Sequence, residues 1–133
     1  MKRILVFIFS LCFGFSFSQS DSWVFYKQID GVLIETSKIE CIGNELITFK
    51  FTNTNNYSVM IDFFEEVWID EVCKQSGDSE EDKRYFKLNP YEEIAGSCEF
   101  KQSFYIGSKI KRGSKIMSLT YFNLKNISVN ITE

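Results

Sequence analysis

The chain has 133 residues, 44% hydrophobic, 25% charged and 17% aromatic, with seven glycines, one proline and no histidine. That composition fits one globular domain and is neither disordered nor collagenous. Without histidine, no Ser-His-Asp or Cys-His nucleophile system can be built, nor any zinc, haem or iron site that needs imidazole.

Met1-Lys2-Arg3 is a short basic start, and Ile4 to Phe17 is an apolar run with five phenylalanines, interrupted by Ser10, Gly14 and Ser16. A stable helical span of a roughly 30 Å hydrocarbon core takes about 20 apolar residues, so this run is too short and too broken to be one. Ser16 and Ser18 place small residues where a signal peptidase reads them. Residues 1–18 are therefore expected to be a cleaved signal peptide and 19–133 the mature domain, secreted or periplasmic. Leu11 is too bulky for lipoprotein processing at Cys12. Loss of Lys2 and Arg3 leaves 13 basic residues against 18 acidic ones. Nucleic acid is a poor partner for such a chain, because its affinity comes mainly from phosphate neutralisation. No second apolar stretch of membrane length follows, so no membrane span is expected after leader cleavage.

Period-two alternation dominates the rest. Trp23 to Gln28 reads as a first strand, Asp30-Gly31 as a type I′ hairpin turn, and Val32 to Cys41 as the return arm. Gly43-Asn44 marks another turn, after which Ile47, Phe49 and Phe51 alternate with Thr48, Lys50 and Thr52. Asn53 to Asn56 breaks that strand. Val59, Ile61 and Phe63 share a face that Val67 and Ile69 continue; Glu65 interrupts it, and a bulge or strand end near Glu65-Glu66 would spare the carboxylate from burial. Residues 75–82 read as a polar loop, Tyr85 to Leu88 and Glu93 to Phe100 as short strands, 107–114 as a basic turn, and 115–131 as the closing strands. The only helical candidate, Phe63 to Cys73, is too rich in β-branched residues for more than one turn. Seven or eight short strands in one domain predict an all-β antiparallel sandwich.

Leader cleavage leaves Cys41, Cys73 and Cys98. An odd count in an oxidising compartment means one disulfide and a leftover thiol, or an intermolecular bond. On the expected strands all three point inward, so parity does not choose between them. Cys73–Cys98 is favoured, because it closes a loop of moderate length and holds down the acidic segment; Cys41–Cys98 and Cys41–Cys73 stay open as alternatives. No Cys-x-x-Cys pair supports a redox role.

The run Phe49-Lys50-Phe51-Thr52-Asn53-Thr54-Asn55, followed by Tyr57-Ser58-Val59, resembles the strand–Asn turn–strand unit of bacterial immunoglobulin-like domains. Lys87-Leu88-Asn89-Pro90-Tyr91-Glu92-Glu93 resembles the leucine–proline–glutamate lead-in to a later core strand of such domains. The whole chain is similar to small secreted proteins of Gram-negative bacteria. The resemblance implies an immunoglobulin-like β-sandwich and bacterial export, and no particular activity. It departs from antibody-type domains: Trp68 lies 27 residues after Cys41, and Gly96 stands two residues before Cys98, where a tyrosine corner would be.

Charge is segregated. Residues 62–82 hold nine acidic side chains and one lysine; residues 101–132 hold six basic ones and no acid. Mutual neutralisation in the fold is the plain expectation. Asp78, Glu80, Glu81 and Asp82 are candidate calcium ligands, though not at EF-hand spacing. Lys109, Lys111, Arg112 and Lys115 are a candidate anion- or partner-binding tip. No catalytic residue and no cofactor other than a weak calcium ion is expected. Adjacent carboxylates such as Glu65-Glu66 would point to opposite faces of a strand. The expected function is a secreted or periplasmic non-catalytic binding module for a protein or glycan of the cell envelope. The alternatives are an envelope-structural protein with an intermolecular disulfide, or a carboxylate- or calcium-dependent enzyme or inhibitor.

Overall fold

The computed structural model describes residues 22–99 and 104–133. The expected leader, residues 1–18, and Phe100 lie outside the described residues. Among the described residues nine strands follow in chain order: β1 (Val24–Ile29), β2 (Val32–Cys41), β3 (Asn44–Asn53), β4 (Val59–Ile69), β5 (Val72–Ser76), β6 (Lys83–Leu88), β7 (Glu93–Ala95), β8 (Tyr105–Arg112) and β9 (Lys115–Ile131), with a short 3-10 turn at Glu80–Asp82 before β6. All pairings are antiparallel, in the order β1-β2-β3-β8-β9-β4-β5, with β6 added to β4 and β7 to β3. The protein is all-β, one curled sheet shaped as a half-barrel.

The curl brings strands together that share no ladder. Phe51 of β3 stacks on Phe63 of β4 with ring centroids 5.7 Å apart, and Phe86 of β6 meets Phe51 edge-on at 4.8 Å. Tyr26 of β1 stacks on Phe122 of β9, donates its hydroxyl to Asn123 Oδ1 and accepts from the Leu124 amide. Val32, Ile34, Phe49, Phe51, Val59, Ile61 and Phe63 are all fully buried. Each such side chain contributes about 1.5–3 kcal/mol through removal from water.

Turn chemistry matches the reading at Asp30-Gly31, where both residues have positive φ. The next hairpin turns one residue earlier than expected, at Ile42-Gly43. The 107–114 segment is not a turn: β8 continues to Arg112, and only Gly113-Ser114 forms the tip. Residues 75–82 are not all loop, because Val72–Ser76 pairs with the end of β4. The long strand β9 keeps its inward side chains by shifting register against β4 near Asp62/Phe64 and Trp68/Ile69, the first shift lying beside Asn126 with its positive φ.

The favoured disulfide is corrected. Cys41 bonds Cys98, and Cys73 is a free, exposed thiol. Loop length favours Cys73, but β7 ends at Ala95 and the chain beyond it places Cys98 beside Cys41 at the end of β2. Gly96 explains where the chain goes. A side chain there would run into the Phe104 carbonyl, and its amide donates to the Phe49 carbonyl, so the chain past β7 is held closely against the sheet.

Candidate functional site

Glu65 is the second correction. Strand β4 runs unbroken through it, and Glu65 takes its turn in the inward row Val59, Ile61, Phe63, Glu65, Val67 with only 3% of its surface exposed. The nearby register shift does not lift it from the interior. Arg84 of β6 answers it, with Nη2 3.3 Å from Glu65 Oε2. Two hydrogen bonds from Arg84 Nη1 to the carbonyls of Glu81 and Lys83 hold the guanidinium in place. Among the described residues, buried Glu65 Oε1 and Arg84 Nε find no hydrogen-bond partner. Burial pushes the Glu65 carboxyl up to about 7; Arg84 draws it down and Asp82 pushes it further up.

The pair lies in the wall of a cavity of about 340 Å³, shared with Val67, Ile69, Lys74, Tyr105, Ile106 and Ile110. Its size is at the lower end of small-molecule sites, and its wall is apolar around a few polar groups. Alternation broken by one acidic residue was the signal in the sequence. What it marked was a buried group with a partner from another strand.

The four candidate calcium ligands are not brought together. Asp82 is buried and accepts from the Gly77 amide, with Gln75 Nε2 at 3.5 Å. Asp78 pairs with Lys125 Nζ at 2.7 Å, while Glu80 and Glu81 stand exposed on the 3-10 turn. Among the described residues, no three His, Cys, Asp or Glu side chains converge as a cation site. Part of the segregated charge does neutralise. Lys125 on the basic segment meets Asp78 on the acidic one, and β4 lies against β9 along nearly all its length.

The basic residues are placed differently from a single tip. Lys109 and Lys111 share one face of the β8–β9 hairpin, and Arg112 and Lys115 the other, by strand alternation and cross-strand register. Lys109 is 3.7 Å from Glu45, which also meets Lys38. The Ser108 hydroxyl, at 2.7 Å, is the main cause holding the Glu45 carboxyl below its ordinary range. Among the described residues, 110–112 of β8 and 115–117 of β9 pair only with each other, so they form a two-stranded arm beyond the ladders of β3 and β4. The Lys111 amide ties the arm to Asn44 Oδ1 of the neighbouring hairpin.

No family model, no curated protein and no solved structure matches this chain. Among the described residues, no helix is long and apolar enough to cross a membrane.

Proposed function

We propose that the protein is an exported, non-catalytic binding module of the bacterial cell envelope, built on an immunoglobulin-like variant of the two-layer β-sandwich. What supports the layering is that β3 and β4, which share no ladder, pack their inward rings face to face. The observation that carries the binding reading is the arm of residues 110–117. Lys111, Arg112 and Lys115 are exposed there and form no ion pair among the described residues. A rigid sheet presenting unpaired cations on a projecting hairpin meets partners by charge complementarity.

Affinity capture from a cell-envelope extract tests the reading, with the recovered chain mapped by non-reducing mass spectrometry for its amino terminus and disulfide. The wild type is expected to retain a partner that the double variant Lys111→Glu/Arg112→Glu loses, while the melting temperature hardly moves. Equal capture by both proteins removes the arm from the mechanism.

A second reading, a carboxylate-dependent enzyme, draws on Glu65. A carboxyl pushed up to about 7 beside a cavity is suited to general acid catalysis near neutral pH. Turnover of a chromogenic ester or glycoside panel by the wild type and not by Glu65→Gln would carry that reading. Turnover by neither leaves the binding module standing.

A further inference from the structure

Two hairpin ends lie side by side, and each carries a feature that works against folding. Ile42 and Gly43 are the central residues of the β2–β3 turn, with φ of 52° and 75°. The first such position suits Asn, Asp or Gly, and a β-branched side chain there is strained. Ile42 is also 88% exposed, so burial does not compensate. At the neighbouring β8–β9 tip, Arg112 and Lys115 are direct cross-strand partners, a like-charge pair that weakens a hairpin.

Between the ends is a shallow hollow of about 210 Å³ whose wall includes Gly43, Asn44, Lys111 and Ile116. Ile116 faces Lys111 across the arm and is 60% exposed. Two carboxylates border the same hollow; Glu45 is engaged by Lys38, Lys109 and Ser108, and Glu40 remains exposed on its rim. Backbone strain retained at an exposed aliphatic residue points to a use outside the fold.

Aliphatic tips flanked by lysine and arginine match an anionic bilayer surface. The apolar side chains enter the boundary between headgroups and acyl chains, and the cations stay level with the phosphates. A soluble polyanion would use the cations and leave Ile42 without a role. We propose that the paired ends of the β2–β3 and β8–β9 hairpins dock on anionic lipid bilayers, Ile42 and Ile116 entering the interface while Lys111, Arg112 and Lys115 meet lipid phosphates. This deepens the binding reading above and rests on it, and it requires no membrane span.

Sedimentation of the full chain with vesicles tests the docking. One set contains phosphatidylglycerol and phosphatidylcholine in equal amounts, and the other phosphatidylcholine alone, which measures whatever the apolar run 4–17 contributes. The anionic set is expected to bind about tenfold more tightly, with the excess lost near 0.5 M salt. Lys111→Glu/Arg112→Glu should abolish the excess. Ile42→Asn should weaken it severalfold while raising the melting temperature, a pairing that a merely structural residue would not give. Should Ile42→Asn fail to fold, Ile42→Gly, which suits the same φ, takes its place.

Equal binding to both vesicle sets overturns the proposal, as does undiminished binding by the Ile42 variants. So does full competition by inositol hexakisphosphate that is indifferent to Ile42, which would assign the arm to soluble polyanions. Capture of an envelope protein without anionic vesicle binding sinks the bilayer docking and leaves the binding module; failure of both assays sinks the two together.

Discussion

Glu65 Oε2 and Arg84 Nη2 meet 3.3 Å apart in the wall of the cavity, and the pairing leaves Glu65 Oε1 and Arg84 Nε without partners. One ion pair that leaves a buried donor and a buried acceptor unsatisfied does not fully repay the desolvation of its members.

Because burial raises the Glu65 carboxyl from 4.5 to about 7, the folded state holds this proton more tightly than the unfolded chain does. Stability from this group is therefore fully present below pH 4.5 and is lost as pH rises through 7, on the order of 3 kcal/mol in total. Glu45 acts in the opposite sense, since its lowered carboxyl contributes above pH 4.5 and its contribution fades as pH falls through the lower folded value. Urea denaturation between pH 5 and pH 8 should show a decline in the wild type that Glu65→Gln abolishes. Parallel profiles for the two proteins would contradict the buried-carboxylate account.

The Cys41–Cys98 bond joins residues 57 apart in sequence, and loop closure of that length restricts the unfolded chain by about 4 kcal/mol. Cys41→Ser should lower stability by about that amount, and Cys73→Ser by less than about 0.5 kcal/mol. Iodoacetamide under native conditions should label Cys73, and digestion without reductant should release one cross-linked peptide pair containing Cys41 and Cys98. A Cys73–Cys98 peptide pair would restore the pairing that loop length favours.

Asn53 is fully buried at the end of β3 and ties two loops together, β3–β4 and β6–β7. Its Nδ2 donates to the carbonyls of Tyr57 and Asn89, and its Oδ1 accepts from the Asn55 amide. Asn53→Leu keeps the approximate volume and strands three backbone groups, at a cost of about 3–5 kcal/mol. The midpoint of chemical denaturation reads this directly. A shift equal to that of an exposed substitution such as Asn56→Ala would show that these bonds are not holding the turn.

Asp70 and Glu71 form the β4–β5 turn with φ of 48° and 64°, the left-handed conformation that Asp30-Gly31 adopts without a side chain at its second position. Glu71→Gly removes the steric penalty at the second position and should raise stability by roughly 1 kcal/mol, visible as a higher melting temperature. A fall would mean that the Glu71 side chain is held by an interaction stronger than its backbone strain.

Strand content, the Asp30-Gly31 turn and the inward row of β4 were legible because each depends on neighbours two residues apart or on the φ a residue tolerates. The limits Val32–Cys41 match the expected arm for that reason. The end of β7 was not legible. Ile94 to Phe100 reads as a continuing alternation, but contact of Gly96 with Phe104 is a relationship between distant chain segments. With the strand end went the placement of Cys98, because a cysteine beyond the last paired residue no longer obeys strand parity.

The hairpin cations were identifiable by type and position along the chain. Their division between two faces followed only from the cross-strand register of Arg112 with Lys115 and of Lys111 with Ile116. Glu65 shows the same boundary from the other side. Its place in the alternation is local and pointed inward all along; whether an inward carboxylate is tolerable depends on what faces it.

Alternating hydrophobicity and turn residues by themselves determined that this chain forms antiparallel strands and which side chains of most strands turn away from water. Tertiary structure alone decided which cysteines bond, that Arg84 stands opposite Glu65, and that the β2–β3 and β8–β9 ends lie together. Backbone geometry is dictated within a few residues, whereas pairing across a curled sheet is selected by the closing of the whole core.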